Sequence, residues 1–236
     1  MTIAAKPSNE SVALFSEEVR AGLSRSGQKT LPSKYLYDPL GSVLFEAITL
    51  LPEYGLTRAE ERILQRHAAE IVSCAPRPAL VTELGSGNGR KTRWILSALR
   101  GHDPLPYYPI EISRAALESC ESELSDMESI SIVGVEREYL DGLGEVAALR
   151  PEGTPLLVLF LGSTIGNFDC GADARFLSAV RSFLRPGDSL LLGTDLMKPM
   201  HRMISAYDDP LGVTAAFNLN LLARINRELD ANFDPR

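Results

Sequence analysis

The sequence is poor in the residues from which disulfide frameworks and metal sites are built. Its 236 residues include three cysteines, three histidines and one tryptophan. Cys74, Cys120 and Cys170 are odd in number and lie far apart with no CxxC, a pattern that gives little support to a disulfide framework or a structural zinc. They are expected to be thiols of a cytoplasmic protein. His67, His102 and His201 are equally dispersed, none with a partner at helical ligand spacing, so no metal is expected. No apolar run approaches the ~18 residues that cross a bilayer. The N-terminal stretch MTIAAKPSNESVALFSEEVR carries acids where a signal peptide needs an unbroken apolar segment. Neither export nor a membrane partner is expected. Basic residues are also too few for a general nucleic-acid binder, which displaces counterions with a concentrated basic face: 24 Lys and Arg stand against 31 Asp and Glu, for a net charge of −7. GxSxG, P-loop and HExxH motifs are all missing, which argues against the matching hydrolases and nucleotidases.

What is present is an alternation of two periodicities. At 44% hydrophobic and 23% charged, the chain has the composition of an ordinary globular protein: one large domain, or one with a smaller appendage. The first 75 residues read as helical. Val12, Leu14, Phe15, Val19 and Leu23 recur near the helical period, and Thr57-Arg-Ala-Glu60 reads as a capping box ahead of Ile63, Leu64, Ala68, Ile71 and Val72. Between these helices, residues 31–58 hold Tyr35, Tyr37 and Tyr54 among several Pro and Gly, and read as a loop stapled down by aromatics. After Pro76-Arg-Pro78 come short apolar runs of strand length at residues 79–84, 107–112, 130–135, 155–161 and 189–192. Amphipathic helices separate them, marked by Trp94, Ile95, Ala98 and Leu99, then Ala116, Leu117, Cys120 and Leu124, then Phe176, Leu177, Val180 and Leu184. Buried strands alternating with such helices predict an α/β fold, a parallel sheet covered on both faces by five βα units.

Three places in this pattern carry chemistry. The first strand ends in Glu83 and runs through Gly85, Ser86, Gly87 and Gly89 into a helix, as a cofactor loop does. A dinucleotide loop spaces its glycines at one, three and six; here they fall at one, three and five, followed by Arg90 and Lys91. Glu111 closes the second strand, where a carboxylate can accept both hydroxyls of a ribose. Glu138-Tyr139, just past the third strand, can meet an adenine edge and face, or form a surface loop. The fourth strand delivers Gly162, Ser163, Thr164 and Gly166 ahead of Asn167, small residues that leave room for a substrate beside one side chain that both donates and accepts. Beyond Tyr207-Asp208-Asp209, Asn218, Asn220 and Asn226 alternate with apolar residues, as in a helix beside a polar cleft.

Taken together, KYLYDPLGSVLFEAIT, LPEYGLTRAE, ELGSGNGRKTR, FLGSTIGN, LRPGDSLLLGTDLMK and AYDDPLGVTAAFNLNLLARINRELDANFD resemble the histidine-specific, S-adenosylmethionine-dependent methyltransferases of ergothioneine biosynthesis, over about Leu31 to Pro235. The resemblance implies a Rossmann-like class I methyltransferase sheet with an N-terminal helical region and an incomplete substrate-binding domain. Residues 1–75 would contribute to the substrate pocket, 76–200 would form the cofactor-binding core, and 201–236 would begin the substrate domain. It implies S-adenosylmethionine as cofactor, with S-adenosylhomocysteine as product, and an amino acid, L-histidine, methylated on its α-amino group. The alternatives are a cofactor-binding fragment without activity, or methylation of another amine such as a tryptophan derivative.

Carried over position by position, Glu83, Gly85, Ser86, Gly87, Lys91, Glu111, Glu138, Tyr139 and Gly162 look like cofactor contacts. Asn167 and Tyr207 would hold the substrate carboxylate, Tyr54 would lie near the amine, and Tyr37 or Tyr54 would orient that amine for transfer. Gly55-Leu56 stands where the family usually has Tyr-Pro. Family members continue beyond Arg236, so the chain is expected to lack the last strands of the sheet. The resulting hydrophobic edge is expected to favour a homodimer, with Phe217, Leu221, Leu222 and Ile225 exposed on the final helix.

Overall fold

Two strands with every residue buried, β1 (Leu80–Leu84) and β5 (Leu156–Phe160), form the centre of a parallel sheet. The computed structural model describes residues 9–101 and 103–234; His102 and Pro235, both used above, lie outside the described residues. Around the central pair the sheet adds β2 (Leu105–Glu111), β3 (Ile130–Ile132), β4 (Val135–Glu136) and β6 (Ser189–Leu192), in the order β3-β2-β1-β5-β6 with β4 also paired to β2. Every pairing is parallel.

Strand alternation sends Val81, Tyr107, Leu157 and Leu159 to one face, where they pack with Leu64, Ile95, Leu96, Cys120 and Leu124. These come from α3 (Leu56–Ser73), α4 (Thr92–Leu99) and, for Cys120, α5 (Arg114–Glu123), with Leu124 as its C-cap. Leu80, Leu84, Ile110, Val158 and Phe160 face the other way, against Leu143 and Val146 of α6 (Tyr139–Leu149) and Phe176 and Val180 of α7 (Ala172–Phe183). Each fully buried leucine of this kind contributes about 1.5–3 kcal/mol. At the opposite edge of the sheet from the glycine loop, Arg150 and Asp188 form an ion pair at 2.6 Å, with side chains 0% and 1% exposed.

The expected third strand is broken. A β-carbon at Gly134 would come within 3.1 Å of Glu121 Oε1 and 3.5 Å of a Leu117 methyl, so α5 presses on the chain between β3 and β4. Helix α6 was not anticipated, because Gly142 and Gly144 mask its short apolar face. Gly142 lies where a β-carbon would reach 2.5 Å from Ile110, which is why that turn of helix can rest on the sheet. The segment expected as a loop contains a 3-10 helix (Ser33–Leu36) and α2 (Pro39–Leu50). Thr57 does not cap α3: the cap position is Gly55, without a side-chain bond, and Leu56 is the first helical residue.

The chain divides into two units, Thr49–Ala206 and Met1–Ile48 with Tyr207–Arg236, which moves both expected boundaries: α3 belongs with the sheet, and the described residues before 49 and after 206 form one unit. In the second unit α1 (Asn9–Leu23), the 3-10 helix and α9 (Val213–Leu229) bury Phe15, Val19, Tyr35, Leu221 and Ile225. Leu221 and Ile225 are therefore 8% and 1% exposed, Leu222 is half-buried against the same cluster, and Phe217, packed on Tyr37 and Phe45, is 7% exposed, so the expectation that these four would be uncovered is corrected. Leu14 leaves the predicted face and is exposed. Asp38 caps α2 by accepting from the Gly41 amide at 2.7 Å, and also accepts from Asn220 Nδ2 and Arg227 Nη2 at 2.7 Å. Asn220 thus faces a buried carboxylate within this unit, and Asn226 exchanges two bonds with the Phe233 backbone. Asp209 caps α9, accepting from the amides of Thr214 at 2.7 Å and Val213 at 3.0 Å.

Candidate functional site

Ligands of open α/β sheets bind at the carboxyl ends of the strands, and the sheet unit concentrates its polar side chains there. The loop from Gly85 to Lys91 leaves β1 with Gly85, Gly87 and Gly89 at φ of +76°, +53° and +72°, a backbone that only glycine adopts without strain. Gly89 has a second reason: a β-carbon would lie 2.6 Å from Cys120 Sγ and 3.1 Å from Leu124. At Gly85 a β-carbon would come within 3.0 Å of the Tyr139 hydroxyl.

Glu83, expected as a cofactor contact, is 2% exposed and turned into the fold. Its Oε2 accepts from Thr92 Oγ1 at 2.6 Å and Tyr107 Oη at 2.5 Å. Since Glu83 precedes the loop and Thr92 follows it, this bond closes the loop's base. Burial pushes the Glu83 carboxyl up to about 7, against the two hydroxyl bonds and the Lys91 charge. Burial likewise lifts Tyr107 well above its ordinary value and Cys120 to about 12.

Glu111 ends β2 and is tied to the loop by the Gly87 amide at 3.4 Å. Its other oxygen accepts from the amides of Ile112 at 2.9 Å and Ser113 at 3.4 Å. Burial raises its carboxyl above the ordinary range while these amides oppose the shift. Ser86 is buried within the loop. Glu138 is the exposed N-cap residue of α6 and Tyr139 its first residue, the ring edge-on to Phe160 at 5.7 Å and Phe176 at 6.2 Å.

After β5 the chain turns through Gly162 (φ +77°) and Ser163 (φ +56°), two consecutive left-handed residues, into the 3-10 helix Thr164–Asn167. A left-handed serine is uncommon and strained; here its hydroxyl accepts from the Asp195 amide at 2.9 Å. Asn167 closes the turn and is exposed. Between this turn and the glycine loop sits a residue that sequence reasoning assigned elsewhere. Glu60, of the supposed capping box, accepts from the Gly162 amide at 2.8 and 3.0 Å and forms an ion pair with Lys91. Tyr54 is buried in the loop before α3, which Arg58 fastens through the carbonyls of Leu51 and Pro52, each at 2.7 Å. Glu83, Gly85, Ser86, Gly87, Lys91, Glu111, Gly162 and Asn167 thus lie along one edge of one unit. Tyr37 and Tyr207 belong to the other: Tyr37 meets Phe45 and Phe217 edge-on at 5.5 and 5.7 Å, and Tyr207 ends α8 (Met200–Tyr207), exposed.

A doubly wound parallel sheet with a glycine loop after β1 and a carboxylate at the end of β2 defines an α/β protein of the nucleoside-binding kind. Within that class the chain belongs to the histidine-specific, SAM-dependent methyltransferase family, whose family model matches residues 15–236. It is 46% identical over 219 residues to the histidine N-alpha-methyltransferase of Mycobacterium tuberculosis, and 47% identical over 219 residues to that of Mycolicibacterium smegmatis. In both cases 92% of this chain aligns with 66% of the relative. The ergothioneine biosynthesis protein 1 of Neurospora crassa is 37% identical, over 86% of this chain and 23% of that one. The chain therefore spans just under two thirds of the length of its bacterial relatives. No described helix is long and apolar enough to cross a membrane.

Proposed function

We propose that the protein is an S-adenosylmethionine-dependent N-methyltransferase acting on the α-amino group of a free amino acid, histidine. The observation that carries this reading is the match to relatives named for that reaction, joined to a carboxyl edge whose residues suit the cofactor. Glu111 keeps acceptor capacity for the ribose hydroxyls, Gly87 leaves the loop backbone open with nothing within 4 Å of where its β-carbon would lie, and Lys91 offers an ammonium to the cofactor's carboxylate. Glu138 and Tyr139 are assigned the adenine, and Gly162 the methionine part. Glu83 is assigned an indirect role, through the loop whose base it closes. Bound S-adenosylmethionine supplies a methyl group on a sulfonium, which leaves with the carbon–sulfur bond electrons remaining on sulfur. The chain's part is to hold a neutral amine in line with that methyl, chiefly a matter of orientation.

Asn167 and Tyr207 are assigned the substrate carboxylate, Tyr54 the vicinity of the amine, and Tyr37 or Tyr54 the alignment of its lone pair. For Tyr37 and Tyr207 these assignments rest on the family resemblance. A second copy pairing along β6 is part of the proposal, supported by the half-buried residues of that last strand and by Leu196 and Met197, 81% and 91% exposed just beyond it; sedimentation decides it. A cytoplasmic setting is proposed on the same footing, Cys74, Cys120 and Cys170 all being thiols.

Titration of the chain with S-adenosylhomocysteine tests the cofactor reading. Glu111→Ala removes charge-assisted bonds worth about 1.5–3 kcal/mol each, so affinity is expected to fall tenfold or more. An affinity within about threefold of wild type overturns the assignment. Methyl transfer to L-histidine in preference to L-tryptophan and to histidine carboxamide tests the substrate.

A further inference from the structure

We infer that Glu60 is a positioning residue of the cofactor site, holding Lys91 and the turn after β5 in one fixed arrangement; the inference rests on the cofactor reading given above. Glu60 arises from the second turn of α3, 31 residues before Lys91 and 102 before Gly162. Its side chain is 11% exposed and that of Lys91 is 22% exposed. Both carboxylate oxygens face the Gly162 amide, at 2.8 and 3.0 Å, and Oε2 also takes the Lys91 ammonium. A β-carbon at Gly193, where β6 ends, would stand 2.2 Å from Glu60 Oε1. One carboxylate therefore touches the chain beyond β1, β5 and β6 at once.

Each contact restricts the others. Gly162 and Ser163 both hold left-handed backbone angles, and an anion on the Gly162 amide secures a turn that has its own strain to resist. Lys91 is a flexible four-carbon chain whose ammonium would otherwise sample many positions. Anchored by Glu60, it stands 3.5 Å from where a Gly162 β-carbon would lie, between the glycine loop and the turn that leads to Asn167. An ammonium has three donors, and a single carboxylate leaves some of them for a ligand. Glu60 touches no reacting atom in this scheme. It acts through Lys91, on the amino-acid end of the cofactor and not on its adenosine end.

That division supplies the test. Reductive methylation of the wild-type chain, followed by peptide mass spectrometry, should label Lys91 more slowly than exposed Lys29. In Glu60→Gln, which keeps the shape and one acceptor but loses the charge, Lys91 labelling should accelerate severalfold. S-adenosylhomocysteine affinity should fall at least fivefold in Glu60→Gln, whereas 5′-methylthioadenosine, which has no amino-acid end, should lose less than twofold. In a Lys91→Met background the Glu60→Gln effect on S-adenosylhomocysteine should shrink below twofold. Equal losses for the two ligands, an undiminished effect in the Lys91→Met background, or Lys91 labelling as fast as Lys29 would each overturn the inference. The labelling comparison needs no variant, and so decides the contact even if Glu60→Gln does not fold. Failure of the wild-type chain to bind either ligand would bring down the cofactor reading together with this inference. Normal wild-type binding with unchanged Glu60→Gln affinity would bring down this inference alone.

Discussion

The two units of the molecule reach stability by different routes. The sheet unit, Thr49–Ala206, is one continuous stretch of chain, and its central strands bury every side chain between two layers of helices. The second unit is assembled from the two ends of the sequence, with a smaller apolar core around Phe15, Tyr35 and Ile225. What joins its halves is largely polar: Asp38, 5% exposed, takes one hydrogen from the α2 backbone and two from side chains of α9, 182 and 189 residues away. A unit built from neighbouring segments gains its contacts at low chain entropy, whereas one closing so long a loop depends more heavily on a few specific bonds.

Arg150→Met should have the largest effect. It leaves the buried Asp188 carboxylate without its counter-charge, and breaking such a pair costs about 3–5 kcal/mol. Urea unfolding should show that loss across the sheet unit; a change below 1 kcal/mol would mean the pair is dispensable. Asp38→Ala is the matching change in the other unit, where it strands buried donors at about 1–3 kcal/mol. Hydrogen exchange should then quicken in residues 31–48 and 213–229 while β1 and β5 keep their protection. Equal loss in both units would erase the distinction drawn between them.

The smallest expected effects carry opposite signs in the two units. Glu83, raised to about 7 by burial, binds its proton more tightly folded than unfolded, so it favours folding most below pH 4.5. That contribution fades as pH climbs from 4.5 to about 7, and Glu83→Gln should flatten the melting temperature across this window. Asp209 behaves oppositely. The Thr214 amide, ahead of its other partners, holds it down to about 2. Its contribution is complete above pH 3.8 and disappears as pH falls through about 2. Exchange protection of α9 should therefore decline in acid well before that of β1, and Asp209→Asn should bring the same loosening at neutral pH. Parallel pH profiles for α9 and β1 would show the two carboxyls are not the controlling groups.

Residue order alone determined the sheet unit to a large extent. Apolar runs of strand length, bounded by Gly and Pro and separated by helical periodicity, have few ways to bury themselves other than a parallel sheet between helices. The glycines at 85, 87 and 89 and the acid at 111 were legible because turn geometry and strand ends impose local demands on residue type. The tertiary structure decided what depends on contact between distant residues. Glu83 had the position of a ligand-binding acid, but Thr92 and Tyr107 turn it inward. Glu60 had the spacing of a helix cap, but the Gly162 amide and Lys91 draw it to the sheet's edge. The apolar face of α9 looked uncovered in a sequence that ends soon after it, yet α1 and the segment around Tyr35, some two hundred residues earlier in the chain, cover it. A carboxylate takes the donors that the folded chain brings within 3 Å, and sequence spacing carries no record of those that arrive from afar.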